Sequence, residues 1–237
     1  MRALRQDGKN SEGNATNYTY APPITTCGKM SYLYGYLEIR AKVPHGKGIW
    51  PAFWLKCSND QYEHSEGDVK LGYKQNLPFY GEVDVFEVFG DDTLIPNLHK
   101  WSTGGHDQAT DHLDTVTVKM KNIADFRPND WHTYGFEWTP DKMSMYIDGE
   151  KYQTFDLNVN FDGSTDSVDK SGFNSPLSIV LGVGLITNEL TKTDDNKWLR
   201  GRELVDLDYS LGDTVAEFAV DYIRLYQKAD GKLWTKY

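Results

Sequence analysis

Residues 131–155 read WHTYGFEW-TP-DKMSMYI-DG-EKYQTF. Alternating runs lie on both sides of Asp148-Gly149, the strongest short-range signal for a β-hairpin. Thr139–Lys142, with Pro140 and Asp141, turns the chain one strand earlier. Three successive antiparallel strands are therefore dictated locally, and the rest of the chain follows the same period. Asp114–Lys121 sets Val116, Val118 and Met120 against Thr115, Thr117 and Lys119, a strand with one buried face. Further strands are expected at Ile24–Ser31, Gly35–Val43, Trp50–Cys57, Glu82–Phe89, Leu177–Val183 and Ala216–Tyr226. Sustained helical periodicity is absent, with at most a short helical turn near Trp198–Leu207. Many short strands punctuated by Gly, Pro and Asp indicate an all-β sandwich or barrel. The chain has 237 residues, which suits a single large β domain, and no internal repeat or linker divides it.

Charge excludes some partners. A formal net charge of −10 repels phosphate backbones, so nucleic acid is not an expected partner. The longest apolar run, Leu177–Ile186, is too short to cross a bilayer and suits a buried strand. No membrane partner is expected. MRALRQDGKN has no apolar segment of a secretion signal. Two cysteines, Cys27 and Cys57, form neither a disulfide framework nor a metal pattern; one bridge and two free thiols both stay open. No His cluster has metal-ligand spacing. Asn14–Thr19 carries N-glycosylation acceptor patterns.

One strand breaks the pattern. Gly81–Gly90 reads GEVDVFEVFG, with Glu82, Asp84 and Glu87 among Val and Phe. Residues i and i+2 share a strand face, so Glu82 and Asp84 point together and Val83 and Val85 point oppositely. Glu87, at an odd offset, falls on the core side of a regular strand, where an unpaired carboxylate is very costly. A β-bulge at Val85–Phe86 returns it to the face of the other two. Five strand steps span roughly 16 Å, shortened by a bulge to about 13 Å. With each Glu leaning inward by ~4 Å, the carboxyl groups come about 5–6 Å apart, the separation of a retaining glycosidase pair. A solvated strand face or half of a calcium site would also account for three acids in six residues.

EVDVFE matches the E-x-D-x-x-E signature of glycoside hydrolase family 16 in its bulged form. Gly28–Leu55 resembles the segment that leads to the catalytic strand in laminarinase-type members. Trp131–Gly149 resembles the strand and hairpin that follow it, and Phe218–Gln227 the family's last strand. The resemblance runs from about residue 24 to 228. It implies a β-jelly-roll sandwich of two antiparallel sheets with an open concave cleft. It also implies an endo-acting, retaining hydrolase of β-linked polysaccharide. By the motif, Glu82 is the nucleophile, Asp84 the helper and Glu87 the acid/base. The resemblance further implies sugar contacts from Trp50 and Trp54, which lie four apart on one strand face, and from Trp101. It places His99 against the acidic cluster. Trp131, His132 and Trp138 read as structural, while His45, His64, His106 and His112 carry no inference.

The family needs no cofactor for catalysis. Its structural calcium would correspond here to Asp221 and the Gly35 backbone. The expected substrate is β-1,3- or mixed β-1,3-1,4-glucan. A galactan-directed enzyme (agarase, carrageenase or endo-β-galactosidase type) and a non-catalytic carbohydrate-binding sandwich are the alternatives. A monomer, secreted or cell-surface, is expected. Two departures stand out. The family's opening strand, with its Trp, is not recognisable in MRALRQDGKN, which would leave one sheet edge uncovered. Ser178–Glu189 lacks the usual early Asn and following Gly-Gly, leaving Asn188 as a stand-in.

Overall fold

The computed structural model describes residues 1–9, 15–20, 23–44, 49–57, 79–88, 93–102, 118–119, 130–160, 164–168, 170, 172–185, 189–192, 198–201, 214–228 and 234–236. Its strands are β1 (Arg2–Lys9), β2 (Ala15–Tyr20), β3 (Ile24–Thr25), β4 (Met30–Tyr32), β5 (Gly35–Lys42), β6 (Ile49–Cys57), β7 (Phe79–Val88), β8 (Thr93–Ser102) and β9 (Val118–Lys119). They continue with β10 (Trp131–Trp138), β11 (Lys142–Ile147), β12 (Glu150–Asp156), β13 (Leu177–Leu185), β14 (Glu189–Lys192), β15 (Trp198–Gly201), β16 (Thr214–Glu217), β17 (Ala219–Tyr226) and β18 (Trp234–Lys236). Among the described residues there is no helix, and so none long and apolar enough to cross a membrane.

Two sheets carry the architecture, and every strand pair in them is antiparallel. One orders its strands β12-β11-β10-β5-β17, the other β18-β4-β13-β6-β7-β8-β9 with β3 beside β13. This is the jelly-roll sandwich expected from the sequence. The inner faces interdigitate in one core. Leu37, Ile39 and Ala41 of β5, Tyr134, Phe136 and Trp138 of β10, and Met143, Met145 and Ile147 of β11 come from one sheet. Phe53 and Leu55 of β6, Val83, Val85, Phe86 and Val88 of β7, and Leu177, Ile179, Leu181 and Val183 of β13 come from the other. Each such aliphatic or aromatic side chain contributes about 1.5–3 kcal/mol by leaving water, and Phe86 sits centrally, ring to ring with Phe53, Tyr134 and Phe218.

The expected hairpin is present. Asp148 and Gly149 both take positive φ, 49° and 83°, the pair of values that a two-residue type I′ turn demands. The Asp148 carboxylate pins the turn, accepting from the Thr133 backbone N–H at 2.9 Å and meeting His132 Nδ1 at 2.5 Å.

Several expectations are corrected. Ile24–Ser31 is not one strand: Gly28, at φ 72°, turns the chain, and the Lys29 and Met30 amides donate to the Thr26 carbonyl. Trp198–Gly201 is strand rather than helix, paired with β14, because the ladder to a neighbour overrides a weak local preference. The opening segment forms β1, antiparallel to β2 and β16 in a separate three-stranded sheet. Among the described residues β17 is still the terminal strand of its sheet. Of the Asp114–Lys121 strand, Val118 and Lys119 are described, paired with Leu94 and Thr93. Trp138 is core, but Trp131 is only half-buried, its ring flanked by Arg40 at 4.8 Å and Lys42 at 5.4 Å.

Candidate active site

The bulge lies where the sequence requires it. In the β7–β8 ladder Asp84 pairs with Asn97 and Glu87 with Ile95, so Val85 and Phe86 together oppose Pro96. In the β6–β7 ladder Phe53 pairs with Phe86 and Trp54 with Asp84, leaving Val85 as the extra residue. Both bulge side chains are fully buried in the core. That spends two successive positions on one face and returns Glu87 to the face of Glu82 and Asp84. The apolar residues of β7 choose the core and the carboxylates take what remains.

The three acids have different environments. Asp84 is buried, with 3% of its surface exposed, whereas Glu82 and Glu87 are partly open. Opposite Glu82 on β8 stands His99, whose Nε2 lies 3.0 Å from Asp84 Oδ2 and 3.9 Å from Glu82 Oε1. The same nitrogen is 3.0 Å from Asn97 Nδ2, and Asn97 Oδ1 accepts from the Leu98 amide at 2.9 Å. Glu82, Asp84 and His99 thus form one compact polar cluster, with candidate donor atoms within 4.8 Å of one another. Glu87 shares their strand face. Its Oε1 accepts from Trp50 Nε1 at 2.9 Å.

Burial pushes the Glu87 carboxyl well above the ordinary carboxylate range, with the negative charge of Asp84 adding to the effect and Glu82 contributing less. The Trp50 hydrogen bond and the His99 ring pull the other way without cancelling it. A carboxyl whose proton affinity is raised by burial and by a neighbouring carboxylate is in an environment that suits a general acid.

The floor around Glu87 is low. Its neighbour across β6 is Ala52, and the next position, on β13, is Gly182. Among the described residues a Cβ built on Gly182 would meet only Pro23 Cβ, at 3.9 Å, so it would fit without displacing a neighbour. Trp50 and Trp54, four residues apart, flank this floor on the same strand face. Trp50 is 36% exposed, and Trp54 is half-buried beneath the Lys56 ammonium at 5.9 Å. Aromatic rings beside an open floor and a carboxyl pair suit a flat polar ligand with apolar C–H faces.

A sequence model of the family described as "Glycosyl hydrolases family 16" matches residues 3–174, well over half of the chain. The chain belongs to this family. Among curated relatives, a glucan endo-1,3-beta-glucosidase of Cryptopygus antarcticus is 27% identical over 83% of the chain and 63% of its own length. A beta-glucanase of Rhodothermus marinus is 27% identical over 89% of the chain and likewise 63% of its own length. The chain therefore spans a little under two thirds of these relatives. Among solved structures, the catalytic domain of an endo-1,3-beta-glucanase (laminarinase) from Thermotoga petrophila superposes with a TM-score of 0.60. It shares 24% identity, with 97% of this chain and 77% of that one covered, a likeness that speaks for the fold.

The structure brings Glu82, Asp84, Glu87, His99, Trp50 and Trp54 to one face of β6, β7 and β8. Trp101 lies on β8 opposite Tyr80, and its side chain is outside the described residues. So are Asn188, the side chain of Cys57, His45, His64, His106, His112 and most of the loops 58–80 and 103–111. Asp221 and Gly35 are not brought together: Asp221 lies at the Arg40 end of β5, about five strand steps or roughly 16 Å from Gly35. Its carboxylate forms an ion pair with Arg40 at 2.7 Å. Two polar residues of the site escaped sequence reasoning. Asn97 shares the His99 face by its i−2 spacing, a signal that was present. Lys56 stands opposite Glu82, visible only once the β6–β7 register is known.

Proposed function

We propose that the chain is a retaining endo-β-glycanase that hydrolyses β-1,3- or mixed β-1,3-1,4-glucan by double displacement. The observation that carries this reading is the bulge, which sets Glu82 and Glu87 on one face with Asp84 buried between them, where burial raises the proton affinity of Glu87. The ionised Glu82 carboxylate attacks the anomeric carbon as the glycosidic C–O bond breaks, and Glu87 gives its proton to the departing oxygen. Glu87, now a carboxylate, takes a proton from water, and that water displaces Glu82 from the anomeric carbon. Asp84 keeps negative charge near Glu87, sustaining its proton affinity, and with His99 it fixes the orientation of Glu82. Trp50 and Trp54 stack on sugar rings above the Ala52–Gly182 floor.

Glucan is favoured over galactan because both curated relatives described above are named for glucan cleavage. All three carboxylates are present and mutually placed, which a binding module would not need. A polymeric substrate of this size is met outside the cell, so the site of action is secreted or cell-surface. Reducing-end release assayed on laminarin, lichenan, agarose, carrageenan and mucin glycans tests the substrate class. Fastest release from laminarin or lichenan is expected, and cleavage confined to the galactans would overturn the glucan assignment.

A further inference from the structure

The bulge that places Glu87 is held from the opposite sheet. The Tyr152 hydroxyl of β12 donates to the Val85 carbonyl at 2.5 Å, across the core and 67 residues away in sequence. Tyr152 is itself at an irregularity. In the β11–β12 ladder Met145 pairs with Gln153 and Tyr146 with Lys151, so Tyr152 is the extra residue of a second bulge. Phe155, three residues on, points into the core. Without the extra residue Tyr152 would face outward; with it, Tyr152 packs against the core. The offset of three between Tyr152 and Phe155 repeats the offset between Asp84 and Glu87. Two bulges in two sheets therefore face each other, and one hydrogen bond joins them.

We propose that Tyr152 is a positioning residue for Glu87. Val85 is the extra residue of β7, and the φ and ψ of Val85 and Phe86 decide where Glu87 points. A backbone carbonyl buried at a break in the ladder needs a donor, and Tyr152 supplies one from a rigid position. Its own hydroxyl is pushed far above the usual tyrosine range by burial, so it remains a donor at every working pH. Removing the bond frees the bulge to relax and lets the Glu87 carboxyl drift from the leaving oxygen. A displacement near 1 Å is enough to cost about a hundredfold in rate. The inference rests on the reading of Glu87 as the acid.

The test compares Tyr152→Phe, Glu87→Ala and Tyr134→Phe on laminarin and on an aryl β-glucoside whose dinitrophenolate leaves without protonation. Tyr134 is a matched control: its hydroxyl is buried in the same core and makes no hydrogen bond with the described residues. Tyr152→Phe is expected to lower kcat on laminarin about tenfold or more, with KM within about twofold, and to leave kcat/KM for dinitrophenolate release, which ends before the water attack that also uses Glu87, within about twofold. Tyr134→Phe is expected to leave the ratio of the two activities unchanged. If Tyr152→Phe spares both substrates or slows both equally while Glu87→Ala is selective for laminarin, the positioning role is overturned and Glu87 keeps its assignment. If Glu87→Ala is not selective, the acid assignment fails and this inference fails with it.

Discussion

Trp50 Nε1 donates to Glu87 Oε1 across 2.9 Å, so a ring that flanks the open floor also tunes a carboxyl whose proton affinity burial has raised. The bond favours the charged carboxylate and draws its pKa down, against burial and Asp84, which push it up. Trp50→Phe keeps a ring and removes the donor. Glu87 then holds its proton to higher pH, and the alkaline limb of kcat/KM moves to higher pH. A limb that stays in place or moves down in a pH–rate profile would contradict this.

The same carboxyl predicts a pH-dependent stability. The folded chain holds the Glu87 proton more tightly than the unfolded chain, whose value is about 4.3. Its contribution is fully present below that value and is lost as pH rises through the raised folded value. Glu87→Gln cannot ionise and avoids the loss. Its Tm should match the parent near pH 4 and exceed it at pH 8, by about 2–4 °C for each kcal/mol relieved. Thermal melts across pH check this, and a variant less stable than the parent at pH 8 would refute it.

Replacing the nucleophile and replacing the acid should have different signatures. Glu82→Gln keeps the shape and hydrogen-bonding capacity of the side chain but removes its nucleophilicity. Hydrolysis should fall by roughly four orders of magnitude or more, with oligosaccharide binding little changed by calorimetry. Near-parental activity would remove Glu82 from the nucleophile role.

The floor beside Glu87 can be filled without harming the fold. Among the described residues the nearest atom to a Cβ at Gly182 is Pro23 Cβ at 3.9 Å, an ordinary contact, and the Gly182 φ lies outside the left-handed region. Valine also suits a strand interior. Gly182→Val should raise KM for the polysaccharide about tenfold or more and leave the denaturant midpoint unchanged or higher. Unimpaired binding would show that no sugar lies over Ala52 and Gly182.

Much of this was legible in the sequence, for identifiable reasons. The odd offset of Glu87 could be reconciled with a valine-lined core only by a bulge, and the ladder shows one at Val85–Phe86. Asp148-Gly149 fixed a turn because few other residues accept two positive φ values. Legibility failed where long-range pairing decides the outcome. Arg2–Lys9 lacks a strand's apolar pattern, yet it pairs with β2 and β16. The strand at Trp198–Gly201 depends likewise on β14. Tyr152 could not be found, because nothing local in EKYQTF reveals a bulge whose purpose lies in another sheet.

The central claim is that the bulge makes Glu82 and Glu87 a retaining pair. Proton NMR of the first reducing ends released from laminarin, read before mutarotation, tests it most directly. The account predicts the β-anomer first, with the α-anomer growing in later. An α-anomer appearing first would mean that water attacks directly, and the assignment of Glu82 as nucleophile would fall.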